Sequence, residues 1–348
     1  MLTDKFLDVD LPIIQAPMAG VQGSKLALAV SRAGGLGSLP CAMLSYDKLK
    51  QELDCIYSST EKPVNFNFFC HSPAKPDSRR EARWRDVLQP YFSEFGINEN
   101  EISEGSSRLP FNHDMADILA NYKPRIMSFH FGLPDEKLLH RVKAWGTKVL
   151  SSATTLQEAK WLEAHGADGI IAQGLEAGGH LGLFLSDDMT TQMGTFSLLP
   201  QIIKKVSVPV IAAGGIADAS GVAAALFLGA RAVQIGTAYL LCSETETTDI
   251  HWQALKSEAS QHTAVTNLFT GRPARGIINR IIRELGPMNN TTPEFPTAAT
   301  AISALRKEAE AMGLNDFTPL WSGQNTSGCK EISATELTRA LAKEIQTL

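Results

Sequence analysis

Residues 173–182, QGLEAGGHLG, set His180 among glycines directly after the apolar run DGIIA. In a helix each of those glycines would cost about 1 kcal/mol relative to alanine, so the stretch reads as a loop whose backbone must approach something closely. Its histidine titrates near neutrality and can move a proton. Two further glycine turns, AAGGIAD at 212–218 and QIGTAYL at 234–240, follow apolar runs, and the second adds the hydroxyl of Thr237. Bare backbone N–H groups at such turns can surround a phosphate, and a nearby helix N-terminus favours its charge. One glycine pair needs no explanation beyond a tight turn; two turns with Thr237 point to phosphate binding. The amides Asn67 and Gln173 are widely spaced from that corner, which suits a ligand with a phosphate at one end and a ring with several hydrogen-bonding edges at the other. Flavin mononucleotide (FMN) has that shape. GGLGSLP at 34–40 is no dinucleotide fingerprint, because Pro40 stands where the third glycine belongs and the order is helix, glycines, strand.

These residues must be carried by a scaffold. From residue 12 the chain alternates short apolar runs with amphipathic helical stretches, the pattern of a parallel sheet covered by helices. The runs are PIIQAP (12–17), GLGSLP (35–40), PVNFNFF (63–69), RIMSFHF (125–131), TKVLSSA (147–153), DGIIAQG (168–174), PVIAAGG (209–215) and RAVQIGTAYL (231–240). Eight strand–helix units predict an α/β fold, a (β/α)8 TIM barrel, with a smaller, mainly helical second domain. Ser24 is the expected cap of the first helix, Thr155 and Glu158 form a capping box, Pro134 opens another helix, and Asp218 caps the one after the seventh strand. In such a barrel the working residues gather at the carboxyl ends of the strands. Met18, Asn67, His130 and Gln173 fall at or near such ends, and Gln234 lies on the eighth strand.

The expected organisation is a barrel over residues 1–245, a helical cap over 246–314 and a segment over 315–348 that returns to the barrel. Residues 71–122 break the alternation as a partly helical insertion. GPMNNTTPEF (286–295) reads as an ordinary surface loop in preference to a lining of the entrance. His130 either lines a substrate pocket or satisfies a core hydrogen bond, while His71, His113, His140, His165, His251 and His262 read as surface or structural residues.

The formal charge of −5 and a pI near 5.9 give no electrostatic footprint for nucleic acid or an anionic membrane. The start, MLTDKFLDVD, lacks the basic and apolar segments of a secretory signal, and no apolar run reaches about 18 residues, so a cytoplasmic location is expected. Five scattered cysteines without a CxxC pair read as buried free thiols. No histidine spacing suits a metal, and none is expected.

Beyond these separate readings, QAPMAG, NFNFFCH, SFHFGLP, QGLEAGGHLG, PVIAAGGIAD, GARAVQIGTAYL, TGRPARGIINR and LWSGQ together resemble the nitronate monooxygenases over residues 11 to about 324. The resemblance implies FMN on a barrel with a smaller helical domain. Asn67 would face the flavin ring, Gln173 its polar edge and Gly178 the glycine-loop side, while Met18 would pack close to the ring. Gly215, Gln234, Ile235, Gly236 and Thr237 would hold the phosphate end. His180 matches the family's catalytic base, able to take a proton from the carbon next to a nitro group and to stabilise the resulting nitronate. The implied reaction oxidises alkyl nitronates, with nitroalkanes as further candidates, using O2 and giving a carbonyl compound and nitrite. The implied partners are these small molecules, with a monomer or homodimer as the assembly. Two other functions share the glycine–histidine loop and the phosphate turns: an NAD(P)H-dependent FMN reductase of quinones or enoyl thioesters, and a non-catalytic phosphate-ligand barrel. The cap carries no tyrosine, the last in the chain being Tyr239, which departs from the family's pocket.

Overall fold

The computed structural model describes residues 4–75, 77–98, 102 and 108–343. Its eight-stranded parallel sheet is formed by β1 (Ile13–Gln15), β2 (Gly37–Pro40), β3 (Val64–Phe69), β4 (Ile126–His130), β5 (Lys148–Ala153), β6 (Gly169–Gln173), β8 (Val210–Ala213) and β9 (Ala232–Ile235). Neighbours pair in the order β1-β9-β8-β6-β5-β4-β3-β2. The two ends meet through an Ile14–Leu36 bridge, with Gln15 N–H donating to the Leu36 carbonyl (2.9 Å) and Leu36 N–H to that of Ile13 (2.8 Å). The sheet is therefore a barrel, and all eight expected strands are in it.

Strand side chains alternate with period two, so each strand serves two cores. Ile14, Ile126, Leu150, Ile171, Ile211 and Ala232 share an inner cluster with Leu7 and Val9 from the N-terminal segment. That segment folds back on itself through an Asp4–Val9 bridge, and the nearly buried Asp4 carboxylate meets Arg231 at 2.9 Å. Residues on the opposite phase, such as Val149, Phe129, Ile170 and Val233, pack outward under helices. The inward positions nearer the carboxyl ends are polar: Asn67, Ser128, Ser152, Gln173 and Gln234 all line a cavity there.

The helices between strands are α1 (Ser24–Arg32), α2 (Tyr46–Ser59), α3 (Ser78–Glu94) and α4 (His113–Leu119) in the first half. They are followed by α5 (Glu136–Ala144), α6 (Leu156–Ala164), α7 (Thr195–Ile203) and α8 (Ala219–Phe227). Local caps follow the sequence only in part. Asp218 accepts from Gly221 N–H as expected. The first helix is capped by Gly23 instead, because Ser24 N–H donates to the Glu52 carboxylate (2.8 Å). Asp135 caps α5, which starts two residues after Pro134. Thr155 accepts from Glu158 N–H, but the buried Glu158 carboxylate does not complete the box. It accepts from Thr154 N–H and Phe184 N–H, both at 2.7 Å, and so anchors the chain just beyond His180.

Residues 246–314 contain α9 (Asp249–Lys256), α10 (Arg280–Leu285) and α11 (Ala298–Ala311), but also two strands that helical reading missed. β10 (Thr263–Thr266) and β11 (Ala274–Ile277) are antiparallel, and β11 pairs on its other side with a two-residue strand, β7 (Gly179–His180). The insertion joins this body: Trp84, Leu88 and Phe92 of α3 share a core with Ile302 and Leu305 of α11 and with Phe317. The last helix, α12 (Ala334–Leu341), packs against α1 and α8, and Thr338 meets the buried Tyr239 hydroxyl at 2.8 Å. All five cysteines are free, but only Cys41 and Cys242 are buried as expected: Cys70 and Cys329 are half-buried, and α2 turns Cys55 to solvent.

Candidate active site

A cavity of about 260 Å3 opens at the carboxyl ends of the barrel strands. Of the residues singled out by the sequence, Met18, Asn67, His130, Gln173, Gly178, His180, Gly215, Gln234, Gly236 and Thr237 all line it. Ile235 does not, since the period-two alternation of β9 turns its side chain into the outer core beside Val233. Its carbonyl accepts from Ala16 N–H (2.7 Å) in the ladder with β1, so Ile235 supports the turn from the barrel wall.

At one end the wall is backbone. Gly214 and Gly215 hold φ of +108° and +73°, the left-handed region that glycine tolerates and most residues do not. Among the described residues no acceptor engages the Gly215 or Gly236 N–H. The Thr237 hydroxyl oxygen accepts from Gly323 N–H (2.9 Å), which leaves its O–H to donate. Asn325 donates to the Gly215 carbonyl (3.0 Å), so the segment around LWSGQ closes over both glycine turns. Glu176 accepts from Thr195 N–H at 2.8 and 2.9 Å, tying the glycine loop to the start of α7.

At the other end the wall is side chains. His180 projects from β7, and its main-chain carbonyl accepts from Gln173 Nε2 (3.0 Å) and His130 Nε2 (3.1 Å). Gln173 also accepts from Gly182 N–H (2.7 Å), so its amide grips the loop on both sides of Leu181. Burial pushes His130 down to about 4, against the opposing pull of the His180 carbonyl, so at neutral pH it is uncharged. A neutral ring that donates through Nε2 must accept through Nδ1, which lies 3.0 Å from the Ser152 hydroxyl. His130 thus does both things left open by its sequence: it lines the cavity and satisfies a hydrogen bond.

The His180 ring has Nε2 at 2.9 Å from Thr270 Oγ1 and no protein partner at Nδ1 among the described residues. Phe295 and Phe131 meet it edge-on at 5.4 and 6.0 Å between centroids, and Trp321 lies at 5.6 Å. Burial, followed by the positive charge of Arg108 and Arg272, holds His180 well below its ordinary value, where the sequence suggested titration near neutrality. The imidazole is therefore neutral and has a lone pair to offer.

Several groups at this end escaped the sequence. Phe295 closes a segment read as a surface loop, yet it is buried against His180 and His71. His71 and His251 are both buried and are pushed down to about 4 by burial, while His113, His140, His165 and His262 are exposed as expected. Arg108 and Arg306 line the cavity, and Arg272 lies over the Phe131 ring at 4.2 Å. Asn67 donates to Ser128 Oγ (2.9 Å), and Gln234 Oε1 is buried with no partner. Among the described residues no cluster of three metal-ligating side chains occurs, and no helix is long and apolar enough to cross a membrane.

A parallel barrel whose carboxyl face joins a backbone cradle to a neutral, enclosed histidine defines a TIM-barrel oxidoreductase in the light of its relatives. The family model described as nitronate monooxygenase matches residues 1–344, and the chain belongs to that family. It is 41% identical to the nitronate monooxygenase of Pseudomonas aeruginosa over 99% of this chain and all of that one. Among solved structures, the nitroalkane oxidase of Streptomyces ansochromogenes superposes with a TM-score of 0.88 at 36% identity, covering 97% of this chain and 96% of that one. FabK of Thermotoga maritima is less similar, with a TM-score of 0.75 at 27% identity over 99% and 96% of the two chains.

Proposed function

We propose that the protein binds FMN in this cavity and oxidises alkyl nitronates, with O2, to a carbonyl compound and nitrite. The observation that carries the reading is that one cavity joins the glycine cradle to His180, whose carbonyl is clamped by Gln173 and His130. The residues present suit a flavin. Gln234 Oε1 is a buried acceptor that a ring N–H would satisfy, and the N–H groups of Gly215 and Gly236 with the Thr237 hydroxyl suit a phosphate. Asn67, Gln173, Gly178 and Met18 would line the ring, and Ile235 would support the phosphate turn from the strand beneath it. Bound there, the flavin supplies the electron acceptor; the protein supplies position and proton transfer.

His180 does the proton work on neutral nitroalkanes. With Nε2–H donated to Thr270, Nδ1 presents its lone pair to the carbon next to the nitro group. The Gln173 and His130 bonds fix the main chain that carries it, and the surrounding phenyl and indole rings exclude water. After transfer the imidazolium and the nearby arginines face the nitronate oxygens with positive charge. An ionised nitronate needs no such step, and its charge is met by the nearby arginines instead of the His180 lone pair. We assign the protein a cytoplasmic location and small-molecule partners only.

The test is anaerobic mixing of the purified protein with propyl-2-nitronate and, separately, with NADH, while flavin absorbance is followed. Reduction of the flavin by the nitronate alone is expected. Bleaching by NADH with no response to nitronate overturns the reading in favour of a reductase, and a colourless protein that takes up no FMN overturns the cofactor.

A further inference from the structure

Two guanidinium groups, Arg108 and Arg306, line the cavity and a third, Arg272, lies close enough to act on His180, and they differ in what they touch. Arg306 is paired with Glu310 at 2.6 Å. Arg272 donates to the Leu183 carbonyl (2.9 Å), stacks on Phe131 and feels the carboxylates of Asp187 and Glu158. Arg108 lines the cavity with Nη1 buried and unpartnered, and no carboxylate among the described residues forms an ion pair with it. Its guanidinium carbon lies 5.7 Å from the centre of the Phe295 ring, which on its other contacts meets His180 at 5.4 Å. The positive charge of Arg306 acts on it repulsively.

A guanidinium nitrogen buried with no partner is costly, and such a group persists where a ligand brings an acceptor of opposite charge. The surroundings describe that ligand. Phe69, Phe131, Phe295 and Trp321 give an apolar cage around the imidazole, so the anion must be small and carry an alkyl body. We propose that Arg108 is a specificity-determining residue that binds the charged oxygens of the substrate, so that the site takes up a nitronate anion in preference to a neutral molecule of the same shape. This rests on the function proposed above. A planar pair of oxygens suits the forked N–H groups of arginine, and Lys in its place would keep the charge but lose the fork.

The experiment measures binding of isobutyrate, a planar anion with the shape of propyl-2-nitronate and no oxidisable nitronate, against its neutral isostere isobutyramide. Calorimetry is done on the protein as purified and on Arg108→Met and Arg108→Lys, with melting curves to verify folding. Isobutyrate is expected to bind more tightly than isobutyramide, and Arg108→Met to weaken the anion by at least about tenfold and the amide by less than about threefold. Arg108→Lys should recover part of the anion's affinity, and Arg108→Met should raise KM for propyl-2-nitronate by a similar factor. Equal binding of the two probes to the unaltered protein, or an equal loss of both in Arg108→Met, overturns the proposal. Because binding is read without turnover, an intact anion preference in a protein that oxidises no nitronate refutes the proposed reaction and leaves the role of Arg108 standing.

Discussion

At the Gly215–Thr237 end the cavity wall is main chain contributed by two short turns, whereas at the His180 end it is side chains gathered from positions as far apart as Phe69 and Trp321. A backbone cradle depends on conformation: it needs glycine where φ is positive and little else. A side-chain cage depends on assembly, and each group is held by a neighbour remote in sequence. The two ends should therefore fail differently when altered, the first by losing the cofactor and the second by losing rate or hold on the substrate.

The largest effect is expected at the side-chain end. His180→Asn removes the proton acceptor, and turnover of neutral nitroalkanes should fall by about 10²–10⁴-fold in oxygen-consumption assays. Ionised nitronate should lose far less, and equal losses for both would show that His180 does something other than move a proton. Next is the backbone end. Gly215→Val places a β-branched residue at φ +73°, with its Cβ 3.4 Å from that of Glu176, and FMN should bind at least about tenfold more weakly in a fluorescence titration. If affinity stays intact, the cradle lies elsewhere.

A smaller change tests assembly itself. His130→Phe keeps an aromatic ring but removes one of the two donors to the His180 carbonyl, and kcat should fall about tenfold with KM nearly constant. His130→Gln, which restores a donor, should recover part of the loss; no recovery would reduce His130 to a packing residue.

The gentlest probe is acid. His71, His130 and His251 sit near 4 in the folded protein and near 6.5 when unfolded. Between those values the unfolded chain binds protons that the folded one refuses, so stability should be full above pH 6.5 and decline as the pH falls towards 4. Thermal melts across that range check it, and a flat melting temperature would mean the three rings become charged without unfolding. His180 is lowered by the same burial, so the acid limb of nitroalkane turnover should lie below 6.5.

The contrast between the two ends also explains what the sequence disclosed. All eight barrel strands were legible because each is a short local apolar run set between helical stretches, and the glycine turns were legible because a single turn carries its own signature. His180 shared that advantage. Thr270, Phe295 and Arg108 did not, since contacts across 72 to 115 residues of chain leave no periodic trace in it. β7 is two residues long and pairs with a strand some 95 positions later, so nothing near Gly179 announced a sheet. Caps failed where a distant carboxylate intervened, as Glu52 does at Ser24 and as loop residues do at Glu158. Ile235, grouped with Gln234 and Gly236 by the resemblance, turns its side chain away from them, because adjacent residues of a strand face opposite sides.

The pairing of β7 with β11 has a consequence for how members of this family could exchange parts. His180 sits in register with Ala274, so the histidine's main chain is hydrogen-bonded by two structural bodies at once, the barrel through Gln173 and His130 and the smaller sheet through β11. A hybrid cut at residue 246 would separate the imidazole from the strand, the threonine and the phenylalanine that keep it in place. The inheritable unit of this chemistry is therefore a non-contiguous one, residues 173–182 together with 263–295, and swaps that honour it should retain activity where swaps along the chain's apparent boundary lose it.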